Sequence, residues 1–449
     1  MVQAARLVPV SAQTAGARRG EGVVVTVIDL GELRDEAPPD PPRRRPRAAG
    51  RPFRSVVVLL VALVTLAAGA PPARPAGRTL AGSPGAVAFV SGDRVYVVEP
   101  ADPQGGVNRQ LVAYRAGSGP PRTLWRTPLP GAGAATAVWE QGGSVLLVGR
   151  TDSDSVYETV GLDARTGRMN WVQPGVGFPA GEALLMQVPE VTARQPIRRV
   201  AVSDGRTLWS APGTPDDVEL SFGPSGVDRL VYLPAAGETA VYDAVSGARL
   251  VARDLRPGDL PTRERTLLAA GMLLVIGDAG DTVTAYDLDT LQRRWTASLP
   301  LVGYAERCGS LLCASKQTGG MWALDPATGA VRWTDDRWAG TLAVAGGRLL
   351  VAGAPRGTGT ALAVVEEATG WLVADLGVWE MVQQDEFDGR LFGVRRIRNS
   401  RQLLVELDPA AGRPEVREVL VGAVGDCRMG AKLVVCRHTN GGFGLWRLP

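Results

Sequence analysis

The sequence contains very little histidine and lysine: one His, His438, and two Lys among the 49 basic residues of the 449-residue chain. A site in which several histidines hold a metal ion is therefore excluded, and a Ser-His-Asp triad would depend on His438 alone. Cysteine is also scarce, with four residues, which is too few for a disulfide scaffold of this length. Enzymes that use carboxylates or a bound cofactor remain compatible with this composition.

The main body of the chain has no excess of charge. Residues 1–54 hold ten Arg against six acidic residues, which leaves 39 basic and 40 acidic residues in the remainder. A protein that binds nucleic acid through its folded part carries a basic surface there. The sequence therefore predicts no nucleic-acid partner.

Long hydrophobic runs are absent except for one, Ser55–Ala70, which contains neither charge nor proline. At about 1.5 Å per residue it would span roughly 24 Å as a helix, close to a hydrocarbon core. Arginines crowd its N-terminal side, so the positive-inside rule predicts a transmembrane anchor at 55–72. Residues 1–54, rich in Pro and Arg, are predicted to be a disordered cytoplasmic tail. The alternative is a signal peptide cleaved after Ala70.

From about residue 85 the chain repeats a short motif. The clearest copies are ALDPATGAVRW at 323–333, GLDARTGRMNW at 161–171 and AYDLDTLQRRW at 285–295. With weaker copies included, eight motifs follow one another at intervals of 38 to 46 residues. Short β-rich runs separated by turn residues precede each motif, and no stretch has helical periodicity. The pattern predicts an all-β repeat of four-stranded antiparallel units.

The residues that recur in the motif are those of a turn followed by a docking residue. Asp163 and Asp325 are expected to accept backbone N–H groups within their turns. Gly167 and Gly329 are expected to adopt the left-handed conformation. An aromatic ring four residues later would be buried between neighbouring sheets. We interpret these residues as structural; the predicted docking residues are Trp171, Trp295 and Trp333.

This D-x-x-T-G-x-x-x-W hairpin, at intervals of about 40 residues, resembles the PQQ-like (quinoprotein-type) β-propeller repeat. The resemblance covers residues 85–449, with 73–84 as a linker, and implies a propeller of four-stranded blades. Eight motifs give eight blades, with seven and nine as alternatives. The strand pair Leu433–Cys436 and Phe443–Leu448 has no motif after it, and residues near 78–90 could complete its blade.

The four cysteines form two local pairs, each bracketing a probable hairpin turn. Of the three possible connectivities, we predict Cys308–Cys313 and Cys427–Cys436, because hairpin partners already lie near the required separation of about 5.5 Å between Cα atoms. The predicted topology places them in an oxidising compartment, where disulfides persist. Neither spacing fits a zinc knuckle.

Families that share the repeat include quinone-dependent alcohol dehydrogenases and the non-catalytic assembly protein BamB. The resemblance implies, for the dehydrogenases, PQQ and calcium beside a disulfide between adjacent cysteines, and this chain has no adjacent cysteines. We therefore predict no catalytic, cofactor-binding or metal-binding residues and no cofactor. The leading hypothesis is a BamB-like, membrane-anchored extracellular propeller that binds a protein partner as a scaffold. The alternative is a PQQ- and calcium-dependent or other propeller oxidoreductase, and the third hypothesis is a ligand sensor.

Three polar segments are further candidates. Thr151–Ser155 could chelate a cation, Gln383–Asp388 offers three carboxylates, and Arg395–Arg401 could bind an anionic partner. Solvated loops are the favoured interpretation of all three.

Overall fold

The computed structural model describes residues 78–448 apart from several short segments, which are 102–108, 118, 132, 152–155, 189–195, 212–216, 235–237, 256–265, 278–279, 386–387, 398–400 and 431. The regular elements of this part are β-strands. Among the described residues, no helix is long and apolar enough to cross a membrane. The predicted tail at 1–54 and anchor at 55–72 lie outside the described residues.

The strands follow one another in antiparallel groups of four, which we call meanders and number along the chain. The first strand, β1 (Arg78–Leu80), belongs to the last meander. Meander 1 consists of β2 (Val87–Ser91), β3 (Arg94–Glu99), β4 (Gln110–Arg115) and β5 (Arg122–Pro128). Meander 2 consists of β6 (Ala135–Gln141), β7 (Ser144–Arg150), β8 (Tyr157–Asp163) and β9 (Met169–Pro174). Meander 3 consists of β10 (Val176–Ala180), β11 (Ala183–Gln187), β12 (Arg198–Ala201) and β13 (Thr207–Ser210).

The middle of the chain repeats this arrangement. Meander 4 consists of β14 (Val218–Gly223), β15 (Gly226–Tyr232), β16 (Thr239–Asp243) and β17 (Arg249–Arg253). Meander 5 consists of β18 (Thr266–Ala269), β19 (Met272–Ile276), β20 (Thr282–Asp287) and β21 (Arg293–Ser298). Meander 6 consists of β22 (Val302–Cys308), β23 (Leu311–Lys316), β24 (Met321–Leu324) and β25 (Val331–Asp335).

The last third departs from strict repetition. Meander 7 consists of β26 (Trp338–Ala345), β27 (Arg348–Arg356), β28 (Gly359–Glu366) and β29 (Leu372–Met381). The end of β29 pairs onward with meander 8, which continues with β31 (Phe392–Ile397), β32 (Arg401–Glu406) and β33 (Glu415–Val421) after the two-residue β30 (Gln383–Gln384). Meander 9 consists of β34 (Ala423–Gly430), β35 (Leu433–His438), β36 (Phe443–Arg447) and β1. The predicted all-β fold of four-stranded antiparallel sheets is confirmed.

The hydrophobic core is divided among the spaces between successive meanders. Phe89 and Leu111 of meander 1, for example, pack with Leu147 of meander 2. A corresponding cluster joins Val97 of meander 1 to Leu445 of meander 9. The first and last meanders are therefore packed together in the same way as consecutive ones.

Strand β1 supplies the outer strand of meander 9. Its residues pair in antiparallel register with β36, Arg78 opposite Leu445 and Leu80 opposite Phe443. These residues lie in the predicted linker 73–84, and the prediction that residues near 78–90 could complete this blade is confirmed. The motif-free strand pair at the end of the chain is thus completed by residues from its beginning, so that no long free edge remains there.

The turns that join the third and fourth strands share one side of the molecule with the hairpin turns that join the first and second. In meander 2 the Ala164 N–H donates to the Gly143 carbonyl at 3.0 Å, and in meander 7 the Glu367 N–H donates to the Gly347 carbonyl at 3.0 Å. We call this side the turn face. The loops that join second and third strands lie at the opposite ends of the sheets.

Candidate functional site

The motif aspartates hold the turns of the turn face. Asp163 Oδ1 accepts the Thr166 hydroxyl and N–H, both at 2.7 Å, and these hydrogen bonds lower the pKa of Asp163. Asp325 accepts hydrogen bonds from the Arg332 guanidinium at 2.5 Å and from the Ala327 N–H at 2.8 Å. These contacts lower the pKa of Asp325, and the contact with Arg332 has the larger effect. The carboxylates of Asp163 and Asp325 therefore stabilise their own turns.

The motif tryptophans join each turn to the preceding meander. The Trp171 indole N–H donates to the Val202 carbonyl at 2.8 Å, Trp295 to Pro326 at 2.9 Å and Trp333 to Glu367 at 2.8 Å. Each acceptor lies in the turn of the next meander.

Glycine allows the tryptophan ring to come this close to the turn. Gly329 has a φ of 70°, and a Cβ added there would lie 2.5 Å from the Trp295 ring. Gly167 has a φ of 73° and stands in the same relation to Trp125. A larger residue at either position would be strained by its own backbone and by the ring.

Between meanders 4 and 5 the large and small residues of this contact are reversed: the large side chain comes from the turn and the smaller one from the preceding meander. Meander 4 has Val251 at the position where meanders 1, 2, 3, 5 and 6 have tryptophan. Meander 5 has Leu291 at the turn position where meanders 2, 3, 4, 6, 7 and 8 have glycine. Leu291 is fully buried at a φ of 52°, in a cluster against which Val251 packs. The branched side chain of the turn occupies the volume that an indole from the preceding meander fills elsewhere.

This exchange predicts strong coupling between the two positions. Leu291→Gly removes a buried side chain and is expected to destabilise the protein by about 2 to 4 kcal/mol, and Val251→Trp alone overpacks the site by about 1 to 3 kcal/mol. The double variant restores the tryptophan–glycine contact that meanders 2, 3, 5 and 6 make or receive, and is expected to lose less free energy of unfolding than the sum of the two single losses. A urea-unfolding double-mutant cycle measures the coupling, and additivity within about 0.5 kcal/mol would contradict it.

Arginine replaces tryptophan between meanders 7 and 8. The docking position in β29 is Ala374, and the Arg348 guanidinium instead donates to the Ala410 carbonyl of the next turn at 2.9 Å. The contact between turns is kept by a side chain from a different strand. Sequence reasoning missed it because Arg348 lies outside the motif.

The tryptophan of this meander, Trp371, is exposed. It follows Gly370 directly instead of by four residues, and 75% of its surface is accessible, with 47% for Leu372 and 44% for Val373. The turn beneath it is held by hydrogen bonds, since the Trp371 N–H donates to Thr369 Oγ1 at 3.2 Å and its carbonyl accepts the Glu366 N–H at 2.9 Å. We call Trp371, Leu372 and Val373 the apolar rim.

The apolar rim differs from the corresponding part of the other meanders. Every other outer strand has an arginine within it or directly before it, and these arginines include Arg78, Arg122, Arg168, Arg206, Arg249, Arg293, Arg332 and Arg417. Strand β29 contains none, and Glu366 and Glu367 are the charged residues of its turn. An exposed tryptophan on a fixed turn is the kind of residue that anchors protein–protein interfaces. Sequence reasoning missed this site, although a tryptophan displaced from the docking position was a visible signal.

Both predicted disulfides are confirmed. Cys308 is bonded to Cys313 in the hairpin of β22 and β23, and Cys427 to Cys436 in that of β34 and β35. The first pair has 5.7 Å between its Cα atoms. The described residues contain no free cysteine.

In the other candidate segments, the described side chains make contacts within the fold. Asp385 forms an ion pair with Arg428 at 2.7 Å and accepts the Val90 N–H at 2.8 Å, so its carboxylate joins meander 9 to meander 1. Arg395 stacks on the Trp379 ring with its guanidinium carbon 4.4 Å from the ring centre.

Parts of the three polar segments lie outside the described residues. Residues 152–155 of the first acidic segment, 386–387 of the second and 398–400 of the arginine-rich loop lie outside the described residues. Within the described part, no group of three His, Cys, Asp or Glu side chains is placed to hold a metal ion.

Comparison with known proteins gives one family match. Residues 193–335 match the model of the PQQ-like family described as outer membrane protein assembly factor BamB. No curated protein is significantly similar in sequence to the chain.

Solved structures that match the chain show low sequence identity and TM-scores below 0.5. BamB from Moraxella catarrhalis is 14% identical, with 80% of this chain and 93% of that chain covered and a TM-score of 0.41. The computationally designed Ika8 protein is 14% identical, with 72% and 99% covered and a TM-score of 0.45. The quinohemoprotein alcohol dehydrogenase ADHIIG from Pseudomonas putida HK5 is 13% identical, with 63% and 62% covered and a TM-score of 0.37.

Proposed function

We propose that this member of the PQQ-like β-propeller family is a non-catalytic scaffold that binds a partner protein. The observation that carries the proposal is the apolar rim, with Trp371 three-quarters exposed on a hydrogen-bonded turn. The description of the matching family model, an assembly factor, agrees with such a role.

The physical case for binding is that the rim is already rigid. Trp333 donates to the Glu367 carbonyl, and the Ser310 hydroxyl and N–H donate to Glu367 Oε1 at 2.6 and 2.7 Å. The turn that carries Trp371 is thus held by two residues of meander 6, one in its outer strand and one in its first hairpin turn. A partner that covers the indole would gain its apolar area with little loss of conformational entropy.

We further propose that the propeller lies outside the cell and is anchored by residues 55–72. The uncharged run Ser55–Ala70 and the arginines before it support an anchor with a cytoplasmic N-terminus. The two disulfides support an oxidising compartment for the folded part.

The number of blades is a further part of the proposal. The eight-blade expectation counted motifs, and meander 9 has none because β1 replaces the strand that would follow a motif. We propose nine blades, one for each meander. Each of the nine buried clusters among the described residues lies between two of them, which supports this number.

The test is site-specific photocrosslinking in the native host. A photoreactive phenylalanine analogue replaces Trp371 in the full chain, and in a matched control it replaces Ala330, which is exposed and also directly follows a motif glycine. Because both positions tolerate a side chain in solvent, both variants are expected to fold. Crosslinking of one defined protein at position 371, and not at position 330, is the expected result.

Two outcomes would contradict the scaffold. The first is the absence of a position-specific protein crosslink at 371. The second is tight binding of PQQ or Ca²⁺ by the purified chain together with dye-linked alcohol oxidation, which would favour the oxidoreductase.

A further inference from the structure

We propose that the turn face docks on an anionic lipid surface through a basic patch at the point where the chain enters the propeller. The patch consists of Arg78, Arg115, Arg122, Arg165, Arg168 and Lys432. The inference rests on the proposed anchor, because the anchor would bring this patch to the membrane, but the charge of the patch stands independently of it.

The entry point of the chain lies on the turn face. The Arg78 guanidinium donates to the Gly117 carbonyl at 2.5 Å, in the turn between the third and fourth strands of meander 1. Arg447 donates to the adjacent Ala116 carbonyl. The first described residue of the chain is therefore fixed against the turn of meander 1.

The segment between the hydrophobic run and this point is short. Seven residues, 71–77, separate Ala70 from Arg78. A chain of seven residues spans at most about 25 Å, even when fully extended. Residues 55–70 in a bilayer would thus keep the entry side of the turn face within about that distance of the headgroups.

Cations surround the entry point. Arg115 and Arg122 face each other across the turn that Arg78 contacts. The next turn, which carries Arg165 and Arg168, is joined to meander 1 by the Trp125 indole, which donates to the Ala164 carbonyl at 3.1 Å.

The hairpin of meander 9 completes the patch. The Leu448 N–H donates to the Lys432 carbonyl at 2.8 Å, directly after Arg447. All six side chains of the patch are exposed. This group lies in meanders 9, 1 and 2, and the apolar rim lies in meander 7.

The acidic residues of this region do not cancel its charge. Asp93 lies 3.5 Å from Arg115 in a pair with more than half of each side chain exposed, and Asp163 is held by the N–H groups of its own turn. Glu140, at the adjoining hairpin of meander 2, pairs with Arg94 at 3.2 Å. With Arg94 included, seven cations therefore face three carboxylates. An Arg or Lys that comes within about one Debye length of an anionic lipid surface gains attraction from it.

The experiment uses the full chain with vesicles of phosphatidylcholine alone or with about 30% phosphatidylglycerol. Flotation at about 0.5 M salt, where surface attraction is screened, measures anchoring. Docking is measured by energy transfer from a dye on the protein to an acceptor on the lipid headgroups. The dye is introduced as an unnatural amino acid either at Ser203, on the turn face, or at Thr358. Thr358, an exposed residue between β27 and β28, reports the opposite side.

Docking predicts more transfer from Ser203 than from Thr358, only with phosphatidylglycerol and only at low salt. Arg122→Gln, Arg165→Gln and Arg168→Gln together are expected to shift the ratio of docked to undocked protein about 100-fold towards undocked, at about five-fold for each arginine. The matched control, Arg249→Gln, Arg293→Gln and Arg332→Gln in meanders 4 to 6, is expected to leave it unchanged.

The outcomes separate docking from anchoring. Flotation at high salt with equal transfer from both sites and both lipids would overturn docking and leave the anchor intact. Charge-dependent, variant-sensitive binding without flotation at high salt would support docking and contradict the anchor. Failure in the flotation assay and in the energy-transfer assay would overturn the anchor and the docking. Loss of a crosslinked protein in the patch variant, with no change in lipid binding, would overturn lipid docking and assign the patch to a protein partner.

Discussion

Trp333→Ala is expected to lower the free energy of unfolding by about 3 to 5 kcal/mol. Only 9% of the Trp333 surface is accessible, and its indole is packed against Gly370 in the turn of the next meander. Truncation leaves a cavity between two meanders and removes the donor to the Glu367 carbonyl at 2.8 Å. Urea unfolding of the purified protein, followed by tryptophan fluorescence and circular dichroism, measures the change.

Trp371→Ala is the matched control for this prediction, because it removes the same side chain from the turn that Trp333 contacts. Trp371 is largely in solvent, so its loss is expected to change the free energy of unfolding by less than about 0.5 kcal/mol. Equal destabilisation by the two substitutions would show that burial between meanders is not what the motif tryptophan contributes.

The repeated part of the fold was predictable because its contacts are local and recur. Each clear copy of the motif places a carboxylate, a turn residue and an aromatic ring within eleven residues, and one hairpin explains all three. The same locality identified the disulfides Cys308–Cys313 and Cys427–Cys436, since each joins the strands of one hairpin.

Contacts between distant residues could not be predicted in this way. Asp385 accepts the N–H of Val90 from 295 positions away, and Arg348 donates to Ala410 from 62 positions away. The sequence suggested that residues near 78–90 complete the last blade. Because β1 is three residues long and has no alternating pattern, only its pairing with β36 shows that Arg78–Leu80 do so. The exchange of Val251 and Leu291 follows from volume shared between two meanders, which no single motif displays.

The candidate site was missed for a related reason. Trp371 lies in a weaker copy of the motif, at 365–373. Its position one residue after the glycine instead of four places the ring outside the interface between meanders. The spacing within the motif, more than the presence of tryptophan, therefore distinguishes a docking residue from a binding residue.

Trp371→Ala is expected to weaken binding of the partner by about 30-fold or more. Exposed tryptophans that become buried at the centre of an interface commonly contribute at least 2 kcal/mol, which corresponds to that factor. Because the same substitution leaves the fold intact, the loss would come from the interface. Arg168→Ala, at the same position of the turn in meander 2, is the control and is expected to leave the affinity within about two-fold.

The central claim is tested most directly by the dissociation constant of the crosslinked partner for the purified chain, measured by biolayer interferometry. The account predicts an affinity reduced about 30-fold or more in Trp371→Ala and retained in Arg168→Ala. An unchanged affinity in Trp371→Ala, with the fold intact by circular dichroism, would contradict it.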